Sequence, residues 1–143
     1  MHILVLQHAK EEHPGSFRKF LKEDGHTWDT VELDVGENLP LIDSFDALWV
    51  MGGPMDVWEE EKYPWLKKEK EFIKIAVAEK GLPYFGVCLG HQLLAESLGG
   101  KSKKPNLLKL VFWMFTRHRM ARVGFFWMGY QTLFLLFNGT RLK

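Results

Sequence analysis

Cysteine occurs once in the 143 residues, at Cys88. A single thiol excludes an internal disulfide and fits a reducing, cytoplasmic setting. No apolar run is long enough to span a bilayer, and Met1 leads straight into a strand pattern, so neither a membrane anchor nor a secretory leader is expected. There is no cluster with metal-ligand spacing, no glycine-rich phosphate loop and no nucleic-acid-binding motif. The expectation is therefore no metal, no cofactor, no nucleic acid and no membrane. Acidic residues are missing from the last third. All 18 lie at or before Glu96, against 10 Lys and Arg there, a balance of −8; residues 97–143 hold nine Lys and Arg and no acid, a balance of +9. The formal net charge of +1 conceals that split. A chain of this length forms one domain at most, with room for a single core.

The most informative stretch is Leu82 to Gly100. Leu82 to Val87 reads as a short apolar strand. Leu89 to Leu98 reads as a helix with Leu93, Leu94 and Leu98 on one stripe, stopped by Gly99-Gly100. Cys88 falls at the break, with Gly86 and Gly90 two residues to either side. A sharp strand-to-helix turn leaves no room for side chains at those positions, and it lifts the sulfur clear of the sheet. The helix that follows offers free N–H groups and the positive end of its dipole, which favour thiolate over thiol. The backbone N–H of Leu89 would face an oxyanion formed on a substrate attacked by Cys88. Lone cysteines are more often buried structural residues. The glycine spacing, the change of period at Cys88, and His91 and Gln92 directly after it favour a nucleophile.

Along the rest of the chain, His2 to Gln7 is a continuous apolar run, the mark of a strand buried on both faces of a parallel sheet. Pro14-Gly15-Ser16 offers a turn and cap before Phe17, Phe20 and Leu21, which are spaced for one helical face, and Gly25 ends that helix. His26 to Leu33 alternates as a second strand, and Gly36 to Leu41 is loop. Phe45 to Met51 is a third strand, apolar enough to be central, broken by Gly52-Gly53-Pro54. An acidic, aromatic loop runs to Tyr63. Pro64 then suits the first turn of a helix carrying Leu66, Phe72, Ile73, Ala76 and Val77, closed by Gly81. This order predicts an α/β fold, an open, mostly parallel sheet with helices on both faces. Ligands of such sheets gather beyond the carboxyl ends of the strands, where the Gly52-Gly53-Pro54 loop and the Cys88 turn both arrive.

Gly86-Val-Cys-Leu-Gly-His-Gln92 resembles the nucleophile motif G-x-C-x-G-x-Q of class I glutamine amidotransferases, the type found in the glutaminase half of GMP synthetase. That resemblance implies a flavodoxin-like fold, with Cys88 as catalytic nucleophile and Gly53 and Leu89 forming the oxyanion hole. Gly52 and Gln92 would bind the substrate, glutamine. The segment from Met55 to Trp65 is similar to the loop that follows the Gly-Gly-Pro turn in stand-alone family members. The implied reaction is release of ammonia from glutamine through a γ-glutamyl thioester on Cys88, with a synthetase as possible partner. A non-enzymatic remnant or interaction module is one alternative. A related cysteine hydrolase, of γ-glutamyl hydrolase or peptidase type, is another; Gln92 and the Gly-Gly-Pro loop favour the amidotransferase.

The family takes its base and orienter from a late H-x-E motif, and none occurs in this sequence. His2, His8, His13 and His26 precede the turn, and His91 shares its rigid backbone and is poorly placed to reach back over the sulfur. His118, the only later histidine, is followed by Arg119-Met120. Residues 1–104 therefore read as the N-terminal part of an amidotransferase domain, and 105–143 as an atypical aromatic and basic tail. Nine of the 20 aromatics lie in 107–143, with neither strand alternation nor clear helical faces. Pairing the third base of each codon with the first two of the next forces Leu-Asp-Gly from Phe126 to Gly129 and Asp-Val from Trp113 to Phe115. Such strings resemble the family's following segments. The expectation is a reading-frame shift near Lys104 to Leu108, leaving an apolar sheet edge to be covered by the tail or by self-association. Resequencing the gene across codons 100–110 checks it. A frame error predicts a one-base discrepancy there, and an uninterrupted frame in independent DNA overturns it.

Overall fold

A computed structural model describes residues 1–100 throughout and, beyond them, the backbone of two strands, Arg122–Trp127 and Leu133–Asn138. Strand β1 (His2–Gln7) is followed by helix α1 (Phe17–Glu23), β2 (Thr27–Glu32) and β3 (Ala47–Val50). Then come α2 (Trp65–Lys74), β4 (Tyr84–Val87) and α3 (Leu89–Ser97). The later strands are β5 (Arg122–Trp127) and β6 (Leu133–Asn138). The sheet order is β2-β1-β3-β4-β6-β5. Strands β2, β1, β3 and β4 are parallel neighbours, the open sheet that the sequence pattern predicts.

Alternate residues of β1 enter different cores because successive side chains leave opposite faces of a strand. Leu4 and Leu6 pack with Leu48, Val50, Leu66, Ile73, Leu93 and Leu94, under α2 and α3. Ile3 and Val5 pack with Leu21, Ala47 and Met51, under α1. Helices thus cover both faces, and β1 is an interior strand between β2 and β3, with Leu4, Val5 and Leu6 wholly enclosed. Burying each such side chain contributes roughly 1.5–3 kcal/mol. That packing, rather than local propensity, holds a helix as short as the seven residues of α1.

Two local features go beyond the sequence pattern. Phe17, Phe20 and Leu21 are spaced for one helical face, but that face is unevenly covered: only Leu21 is buried, and Phe20 is 57% exposed. Phe17 lies along the sheet, with its ring centroid 5.8 Å from that of Trp49 and 5.5 Å from that of Phe85. One short helix cannot turn three positions inward over a narrow strip of sheet. The second concerns the tail, most of which lies outside the described residues. Without strand alternation in their residues, β5 and β6 nevertheless pair antiparallel with each other, while β6 pairs antiparallel with β4. The free edge of β4 presents unpaired N–H and C=O groups that accept any segment able to extend beside them.

Helix α3 enters very close to β3. A Cβ on Gly90 would overlap the Val50 carbonyl oxygen and lie 2.9 Å from its carbon. Alanine inside a helix normally stabilises by about 1 kcal/mol relative to glycine. Here overpacking against rigid backbone reverses the sign: Gly90→Ala is expected to destabilise by about 1–3 kcal/mol in urea unfolding.

Candidate functional site

Three chain segments meet at the carboxyl end of the parallel strands: the β1 end with the loop after it, the Gly52-Gly53 loop after β3, and the turn between β4 and α3. Cys88 occupies that turn with φ 48°, making it the one residue other than glycine with positive φ among the described residues. Such a backbone state costs on the order of 1–3 kcal/mol and persists only where the surroundings impose it. They do. A Cβ on Gly86 would lie 2.8 Å from the Tyr84 ring and 2.9 Å from the backbone nitrogen of His91. Gly90 is pressed on Val50, and the buried Tyr84 hydroxyl donates to the Gly90 carbonyl at 2.7 Å. The thiol stands exposed at the rim, as expected from the glycine spacing.

Its electrostatics differ from expectation. The dipole of α3 was expected to favour thiolate; instead the thiol's pKa lies above its ordinary value. Partial burial raises it most, the Leu89 N–H directed at the sulfur lowers it, and the Glu12 carboxylate raises it again. Glu12 comes from the loop after β1. A Cβ on Gly52 would nearly touch its Oε2 and would lie 3.8 Å from the Cys88 Cβ, so carboxylate and cysteine flank the same glycine. The sequence carried no signal for this, because an acid in a loop is ordinarily solvated.

The other expected site residues gather around Cys88. Leu89 is buried as the first residue of α3. Gly52 is buried. Gly53 is wedged where a Cβ would meet Leu89 at 2.8 Å and the His8 Cβ at 2.9 Å. Gln92 is half-buried one turn into α3, its N–H directed to the Cys88 carbonyl at 3.4 Å. His91 is buried, and neither ring nitrogen has a hydrogen-bond partner among the described residues. Burial pushes its pKa down to about 4, so it is neutral at ordinary pH.

Behind the Gly52-Gly53 loop lies a buried pair that sequence reading missed. His8 Nε2 is 2.8 Å from Glu69 Oε1, and His8 Nδ1 is 2.9 Å from the Gly52 carbonyl oxygen, with both side chains shielded from solvent. A carbonyl only accepts, so Nδ1 carries a proton there. Burial opposes charge on the ring, but the Glu69 carboxylate and the Gly52 carbonyl outweigh it and hold the His8 pKa above its ordinary value. The available signal was Glu69 itself, three residues after Leu66 and four before Ile73, on the buried stripe of α2. Among the described residues no group of three or more His, Cys, Asp and Glu could hold a metal ion, and no helix is long and apolar enough to cross a membrane.

Comparison with known proteins gives a consistent picture. The sequence model of the family described as Glutamine amidotransferase class-I matches residues 18–122. The glutamine amidotransferase-like protein YfeJ of Salmonella typhimurium is 34% identical over 103 residues, covering 69% of this chain and 43% of that protein. The glutamine-hydrolyzing GMP synthase of Vibrio atlanticus is 36% identical over 75 residues, covering 52% of this chain and 12% of that protein. A crystal structure of a glutamine amidotransferase from Thermotoga maritima superimposes with a TM-score of 0.64 at 35% identity, over 69% of this chain and 43% of that one. The chain spans less than half the length of these relatives.

The Glu12 contact generates a test. A neighbouring anion disfavours thiolate, so Glu12→Gln lowers the Cys88 pKa and raises the thiolate fraction below it. Iodoacetamide alkylation near neutral pH is expected to quicken by about two- to fivefold, an effect of a few tenths to one kcal/mol for a partly screened charge. The pH–rate profile shifts to lower pH, and at alkaline pH the two rates converge.

Proposed function

The chain belongs to the class I glutamine amidotransferase family, and from that premise we propose that residues 1–104 carry the nucleophile half of a glutamine-hydrolysing site. The observation that supports it most is Cys88 held at positive φ and exposed between the Gly52-Gly53 loop and the first turn of α3. Cys88 Sγ attacks the side-chain carboxamide carbon of glutamine, and its proton leaves with the departing nitrogen as ammonia. The product is a γ-glutamyl thioester, which water then hydrolyses to glutamate and free thiol. The Leu89 and Gly53 N–H groups take the developing oxyanion. Gln92 and Gly52 contact the substrate. Gln92 and the Gly-Gly-Pro loop favour this over a related γ-glutamyl hydrolase or peptidase.

The proton-transfer half is deficient. The sequence has no H-x-E motif. His91 is buried without a carboxylate partner, and both nitrogens of His8 are committed to Gly52 and Glu69. With a resting thiol and no positioned base among the described residues, turnover by this part of the chain is expected to fall far below what the acylation geometry would support. Residues 105–143 are the out-of-frame remainder on this reading, and the complete protein would supply the base from its lost segment. Relatives named as synthases suggest that the ammonia passes to a synthetase, and one cysteine with no membrane-spanning helix among the described residues is compatible with the cytoplasm.

The test is labelling by 6-diazo-5-oxo-L-norleucine, a glutamine analogue. Cys88 is expected to react with it far faster, relative to iodoacetamide, than a free thiol does. Cys88→Ala abolishes labelling, and ammonia release from glutamine stays near background. A Cys88 with no preference for the analogue overturns the proposal and favours a non-enzymatic module.

A further inference from the structure

We infer that the buried His8–Glu69 pair is a clamp on the peptide plane between Gly52 and Gly53, and that His8 is thereby a positioning residue for the oxyanion donor. In a trans peptide the carbonyl of one residue and the N–H of the next point in opposite directions from one rigid plane. No cis peptide occurs among the described residues. The Gly52 carbonyl is drawn inward to His8 Nδ1 at 2.9 Å. The Gly53 N–H, at the other end of that plane, is therefore turned away from the buried pair, toward the open end of the sheet where Cys88 stands.

A Gly-Gly unit needs such a clamp. Glycine has no Cβ to restrict its torsions, so a Gly-Gly peptide rotates between alternative planes more readily than any other dipeptide. Glu69 fixes the His8 ring in turn: both ring nitrogens face acceptors, so the pair retains one shared proton and neither ring rotation nor tautomer change leaves both contacts intact. Glu69 is anchored on α2 among Leu66 and Ile73, which makes the rigid core the reference for the loop. An oxyanion donor acts only when its direction is set before reaction, and loss of one donor typically lowers rate by about 10²–10³-fold. The assignment rests on the oxyanion reading of Gly53 above, and its test separates the two.

Two amide substitutions of similar polarity divide the contacts of His8. In His8→Asn the side-chain N–H₂ falls near the place of Nδ1 and keeps the bond to Gly52. In His8→Gln it reaches the place of Nε2 and keeps the contact with Glu69 alone. Both full-length variants are first shown to melt cooperatively. The Gly53 amide ¹H–¹⁵N resonance then reads the plane directly: it is expected near its original position in His8→Asn and displaced or broadened in His8→Gln. Labelling of Cys88 reads the consequence. The rate with 6-diazo-5-oxo-L-norleucine, whose ketone oxygen takes the place of the glutamine carboxamide oxygen at the donor while C6 is alkylated and dinitrogen leaves, is divided by that with iodoacetamide, which lacks the glutamine framework that would seat it there. The ratio is expected to stay within about threefold in His8→Asn and to fall by about tenfold or more in His8→Gln. An unchanged Gly53 resonance in His8→Gln overturns the clamp. So does a displaced resonance with an unchanged ratio, in a parent chain that prefers the analogue. A displaced resonance in a parent without that preference supports the clamp and removes the oxyanion reading instead.

Discussion

The site depends on one steric fact, the contact of the first turn of α3 with the carbonyl of Val50 at the end of β3. Because no side chain fits between them, the chain must leave β4 and enter α3 within a single residue, and that residue is Cys88. The turn forces its backbone to φ 48°, a state other residues avoid. The sulfur is lifted out of the sheet for the same reason. Tyr84 reinforces the arrangement from beneath by donating its hydroxyl to the Gly90 carbonyl. Geometry rather than acidity makes this cysteine distinctive.

Charge at the site works in a different direction. Burial and Glu12 together outweigh the Leu89 N–H, so the resting sulfur is held as thiol. A thiol that reacts only when a proton is removed or a charge is neutralised is quiet toward indiscriminate alkylation. On the proposed reading, activation must come with the substrate and with a base from outside the described residues. His91, though only three residues past Cys88, is buried and neutral, and His8 is committed to the core. On that reading the described residues supply the attacking group and the oxyanion donors, and no proton relay stands among them.

Much of the architecture could be read directly from the residues. The unbroken apolar run Ile3 to Leu6 implied a strand enclosed on both faces, and it is one. Gly86 and Gly90 implied a turn too tight for side chains, and each is packed where a Cβ would collide. For Phe17 and Phe20 the spacing was silent on burial, because it shows which positions share a helix face and not how much sheet lies beneath it. The strand β6 was illegible because an open sheet edge recruits by backbone hydrogen bonding, which leaves little mark on side-chain pattern.

The sequence by itself determined the class of fold, the place of the strand-to-helix turn and the identity of the exposed sulfur. Those follow from local rules: hydrophobic period, glycine where no Cβ fits, and the short range over which a turn is specified. Tertiary structure alone decided the partners of that sulfur and of the loop facing it. Glu12 reaches Gly52 across 40 positions of chain, and His8 meets Glu69 across 61. Such pairings depend on which elements lie side by side in the sheet, and electrostatic coupling at a few ångströms has no counterpart in the spacing of residues along a chain.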